Sequence, residues 1–152
     1  MYDATVTVFN RYESDLGVMW YPSVFRNVNL LVDKASIVSR YGAESKDSAV
    51  LNVKVVLSDN SIPGTNGKIW LPPKEWSAQL NDEINKYITF SSGQAFDFFF
   101  LGEWDENTPV QDGDYGIRGF YDHMVNKYDY VFAITSVSGP FKTIPHFEIT
   151  GR

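Results

Sequence analysis

Cysteine is absent from the 152 residues. Disulfides, thiolate metal sites and cysteine nucleophiles are thereby removed together, and nothing points to an oxidising compartment. Histidine occurs only as His123 and His146, far apart in a chain where zinc ligands would come at short spacings. No run approaches the roughly 18 apolar residues of a membrane span. The opening MYDATVTVFN has neither a basic n-region nor an apolar h-region, so no signal peptide is expected. Positive charge is also scarce. Against 13 Lys and Arg stand 19 Asp and Glu, a formal charge of −6 and a pI of about 4.8. A sequence-independent grip on phosphate backbones needs clustered Lys and Arg, which leaves at most a protein that stands beside DNA without gripping it. No G-x-S-x-G, Walker, Rossmann or Ser/His/Asp pattern occurs, so nucleophilic and nucleotide chemistry find no support.

What the chain does hold is aromatic surface: 11 Phe, 9 Tyr and 4 Trp, 16% of all residues. Such side chains carry large apolar area and favour β surfaces. Alternation with a period of two marks strands at 4–9, 18–32, 49–57 and 129–139, with shorter ones at 68–71, 86–90, 95–103 and 143–151. Pro22 interrupts the second strand and belongs on an edge or at a bulge. Residues 35–48 and 58–67 read as loops. A helical turn is expected from Pro72, and a short helix at about 118–128, where Phe120, Met124 and Tyr128 lie four apart. The expectation is one domain over 1–152, mainly β, an antiparallel barrel or sandwich of about eight strands with that helix inserted. Val6, Val8, Leu51, Val53, Val55, Phe98, Phe100, Phe132 and Ile134 should form its core.

The stretch GEWDENTPVQDGDYGIRGFYDHM, residues 102–124, concentrates carboxylates. Its loop carries Glu103, Asp105, Glu106, Asp112 and Asp114. Asp112-Gly-Asp114 lacks the later bidentate glutamate of a calcium loop, and Asp122 and His123 are helix neighbours that do not share a face. No metal is expected. Glu103 and Asp105 alternate after a strand and would suit a hydrolase with paired carboxylates, but strand-end solvation explains them as well. A loop carboxylate of this kind should change stability by no more than about 0.5 kcal/mol when replaced by alanine. Trp20, Trp70, Trp76 and Trp104 sit near strand ends or loop starts. They suit a carbohydrate-binding β-sandwich platform, a core or a subunit interface. The element WLPPKEW, 70–76, would form a rigid protruding knuckle or fold back over the barrel with its tryptophans inside.

The stretches TVTVFNRYESDLGVMWYPSVFRNVNL, IWLPPKEW, FFFLGEW, YDYVFAITSV and IPHFEITG span almost the whole chain. Together they resemble a family of small uncharacterised phage and prophage proteins of Gram-positive bacteria, encoded among capsid and head–tail genes. The opening hairpin resembles the start of β-barrel head-closure (stopper) and connector proteins. The resemblance implies a non-enzymatic virion or morphogenesis role as a subunit of an oligomeric ring, with no cofactor and no membrane. It also implies partners: further copies of the chain, and portal, adaptor or tail components, with DNA nearby in a channel. The chain would reside in the host cytoplasm during assembly and afterwards in the virion. In such a ring the acidic loop would line or rim the lumen, and Trp70 and Trp76, exposed, would anchor the contact to a neighbour.

Overall fold

The computed structural model describes residues 2–33 and 48–152. Most of the loop expected at 35–48 lies outside the described residues. The elements in chain order are β1 (Ala4–Ser14), β2 (Gly17–Asp33), β3 (Ser48–Lys54), β4 (Ile69–Trp70), α1 (Pro73–Ser77), β5 (Tyr87–Ile88), β6 (Phe98–Leu101), β7 (Val110–Gln111), α2 (Gly119–Lys127), β8 (Val131–Phe141) and β9 (His146–Gly151). Short 3₁₀ turns cover Asn81–Lys86 and Asp112–Tyr115.

Six strands close into an antiparallel barrel rather than a sandwich. Their order is β1-β6-β8-β9-β3-β2, and β2 returns to β1 through a register running from Ala4↔Val28 to Ser14↔Gly17. β7 extends the sheet on β2 through Met19↔Gln111 and Trp20↔Val110. β4 and β5 form a separate parallel pair. The hairpin register shifts between Ala4 and Val6, where Asn27 adopts φ 60°. A bulge of this kind bends a strand. Beyond it β2 pairs with β3 from Asn29↔Asn52 to Asp33↔Ser48.

Every residue expected in the core is buried, but they divide between two clusters. Val6, Val8, Leu51, Val53, Val55, Phe132 and Ile134 fill the barrel with Phe25, Phe99 and Phe147. Phe98 and Phe100 point the other way, outward, and join Phe9, Trp20, Val110, Phe120 and Met124. Alternation makes this unavoidable, because Phe99 and its two neighbours occupy opposite faces of β6. The amphipathic helix α2 covers the outer face with Phe120 and Met124, so β1 and β6 are buried on both sides.

Several local expectations are corrected. β3 ends at Lys54, and Leu57 stands exposed in the following turn. The strands expected at 86–90 and 95–103 shorten to β5 and β6, which pair apart, β5 with β4 and β6 with β1 and β8. Gly139-Pro140 lies within β8, and the turn before β9 is at residues 142–145. Tyr128 caps α2 and is exposed. Trp76 is only 2% exposed, and the WLPPKEW element folds against the barrel instead of protruding.

Candidate functional site

Pro22, Val24 and Arg26 alternate along β2, and so face the same side. Between the β7 pairing at Trp20 and the β3 pairing at Asn29, this strand has no strand partner among the described residues on the edge away from β1. Pro22, which cannot donate to a ladder, occurs in this gap. The loop after β3 fills it. Arg26 N donates to Gly64 O at 3.0 Å, and buried Ile62 fixes the loop to the core. Gly64 has φ +85°, and a Cβ there would stand 2.2 Å from Arg26 O, so no other residue fits.

Lys68 closes the loop onto the strand. Its ammonium donates to Ser23 Oγ at 2.8 Å and more weakly to Pro22 O at 3.4 Å. Burial pushes its pKa down to about 8, because the charged form loses hydration there.

The opposite wall is the segment after β6. Thr7 Oγ1 donates to Gly102 O at 2.9 Å and accepts from Trp104 N at 3.0 Å. The Trp104 ring meets Phe9 edge-on at 5.4 Å and Phe120 at 5.5 Å. Glu103, Asp105 and Glu106 are exposed along the rim of this anchored loop, and Glu103 pairs with Arg26. Asn85, Lys86 and Tyr87 complete a cleft of about 730 Å³, within the roughly 300–1,000 Å³ range of ligand sites. A second, more open hollow of about 470 Å³ runs beside α2, where His123 lies 4.7 Å from Tyr115. The chain belongs to DUF6751, a family of unknown function. Its match spans residues 1–152. No curated protein and no solved structure matches the chain.

In this DUF6751 chain the acidic residues separate. Glu103, Asp105 and Glu106 gather at the cleft with Trp104, whereas Asp112 and Asp114 lie elsewhere. Asp112 Oδ1 accepts from Trp20 Nε1 and from Phe120 N, both at 2.9 Å. It thereby ties β2 to the first turn of α2, where a carboxylate also suits the helix dipole. Gly119 is required beside it, because a Cβ would come within 2.7 Å of both carboxylate oxygens. The small effect expected for loop carboxylates therefore needs revision here. Asp112→Ala strands a buried indole N–H and should lower unfolding free energy by about 1–3 kcal/mol. Exposed Asp114→Ala should stay within about 0.5 kcal/mol. Urea denaturation of the two variants checks the contrast, and equal small effects would remove the clamp.

The tryptophans do not form a platform. Trp20 and Trp76 are buried, Trp70 packs on Phe147 at 4.9 Å, and Trp104 is half-buried against the outer cluster. Among the described residues no three His, Asp or Glu side chains converge as a metal site. No described helix is long and apolar enough to cross a membrane.

Sequence reasoning missed Lys68 and Asp97. Asp97 is buried and accepts from Asn10 Nδ2, Arg11 N and Ser91 N at 2.8–2.9 Å. Burial pushes its pKa up to about 7 against the pull of these donors. An acid inside AFDFFFL, flanked by residues that must be buried on both faces, was the available signal.

Proposed function

We propose that the chain is a non-catalytic structural subunit of a phage particle, a head–tail connector or head-closure component that works in a ring. The observation that carries this reading is the exposure of large apolar side chains at loop tips. Leu16 at the tip of the β1–β2 hairpin is 94% exposed, and Ile117 before α2 is fully exposed. A closed barrel offers little free ladder for strand addition, so contacts with neighbours must go through loops and side chains. In this reading Leu16 and Ile117 are the apolar groups that make such contacts. They replace Trp70 and Trp76 as anchors, since Trp76 has no exposed face to offer.

In a ring the charge of −6 is multiplied by the copy number. Exposed Asp105 and Glu106, where they lie near the channel wall, repel phosphate and keep DNA from adhering during passage. Screening confines this to about 8 Å at physiological salt. The neighbours in this reading are further copies of the chain and portal, adaptor or tail proteins. The test is a Leu16→Ser, Ile117→Ser double variant. Its melting temperature should match wild type while its incorporation into purified particles falls. Normal incorporation would remove the loop-tip contact, and absence of the wild-type protein from particles and assembly intermediates would remove the connector reading.

A further inference from the structure

Lys68 carries a charge that no carboxylate answers among the described residues. Arg26 is matched by Glu103, and Lys86 by Glu83 at 3.0 Å. Lys68 meets only neutral acceptors, Ser23 Oγ and Pro22 O. Among the described residues no carboxylate stands within ion-pair distance of its ammonium. A neutral side chain could staple the loop to β2 by the same two bonds without desolvating a charge. An ammonium has three donors, and two of them are engaged here. The remaining donor belongs to a group that lines the cleft.

The lining narrows the ligand. Arg26, Lys68 and Lys86 face Glu103, Asp105 and Glu106 around the cleft, three charges of each sign. A dianion doubles its attraction to Lys68 and its repulsion from the rim together, so the apolar wall separates the candidates. The half-buried Trp104, Val24 and Ile69 supply apolar wall. We infer that the cleft binds a carboxylate carried on an apolar body, with Lys68 as its charge partner and Trp104 along its side. That carboxylate is either a free organic acid or the end of a polypeptide segment. The chemistry is the same, and the site stands independently of the connector reading.

The experiment uses the full chain with its lysines labelled with ¹³C and ¹⁵N and chemically unmodified, the Lys68 Cε resonance being assigned from Lys68→Met. Benzoate and N-acetylphenylalanine should each move that resonance and raise its titration midpoint. N-acetylphenylalanine amide, which lacks the charge, should not. Tighter binding of N-acetylphenylalanine than of benzoate would favour a chain terminus, and the reverse a free acid. Thermal-shift titration with benzoate should show Lys68→Met weakened at least about tenfold, as for loss of a charged hydrogen bond. Lys68→Arg should retain most of the affinity. Should Lys68→Met fold poorly, an Asp105→Asn, Glu106→Gln variant keeps the ammonium and should gain affinity for inorganic phosphate. No movement of the Lys68 resonance with either acid would overturn the inference. So would an equal response to the amide, or phosphate binding wild type as well as benzoate does.

Discussion

Trp76→Ala is expected to lower the unfolding free energy by about 3–5 kcal/mol, the range for emptying a buried large aromatic site. The indole stands edge-on to Tyr12 at 6.1 Å and to Tyr21 at 5.9 Å, so α1 is pinned to the β1–β2 hairpin through three rings. Its Nε1 donates to Tyr87 O at 3.3 Å, which adds the first residue of β5. Alanine removes the rings' common partner and leaves a void between elements that the chain connects only through long loops. Trp76→Phe keeps an aromatic ring and loses the hydrogen bond, which contributes about 1 kcal/mol, together with part of the packing. Its loss should therefore be distinctly smaller. Urea denaturation midpoints at constant m-value separate the two. A near-neutral Trp76→Ala would mean that the site collapses freely and that the indole is not a structural pin. An assembly defect in a Trp76 variant would then have to be read as a contact; with the expected loss, it is a folding defect.

The alternation in residues 49–55 was legible because β3 is buried on one face only, so Leu51, Val53 and Val55 enter the barrel while Asn52 and Lys54 do not. The same rule found Phe98 and Phe100 as buried residues but could not say that they face outward, into a second cluster. Three successive phenylalanines contain no period, and the helix that buries the outer pair lies about twenty residues further on. The spacing of Phe120 and Met124 did identify that helix, yet it could not say which strands the helix would cover. Trp20 was left open between platform, core and interface for this reason: α2 and β7 convert the outer face of β2 into interior.

The cleft was half legible. Carboxylates clustered within five residues can be seen in a sequence, and Glu103, Asp105 and Glu106 do share its rim. Lys68 was invisible, since its acceptors lie 45 and 46 residues away across a closed barrel edge. Asp112 was read as one of a run of loop acids, although its partners are an indole 92 residues back and an amide 8 residues on. Chemistry made by distant pairs leaves no local pattern.

Asp97 should make stability fall as pH rises from about 4 to about 7. The unfolded carboxyl ionises near 3.8 and the buried one near 7. Between those values the folded chain holds a proton that the unfolded chain has released, so raising pH favours unfolding. The contribution is fully present below pH 3.8 and lost as pH passes 7. It amounts to about 4 kcal/mol for a displacement of this size. Burial drives the effect. Arg11 N, Ser91 N and Asn10 Nδ2 oppose it by donating to the carboxylate, tying β1, the 91–94 turn and β6 into one joint. Asp97→Asn cannot ionise. Its amide nitrogen must also face at least one of those donors, which should set stability about 1–3 kcal/mol below that of the chain with protonated Asp97, by the same amount at every pH. The offset is structural and the slope is electrostatic, so the two can be read apart. Unfolding free energies of wild type and Asp97→Asn at several pH values from 4 to 8 should converge and then cross as pH rises, the variant becoming the more stable of the two near neutral pH. Parallel curves would show that the three donors outweigh desolvation and hold the buried carboxylate ionised throughout.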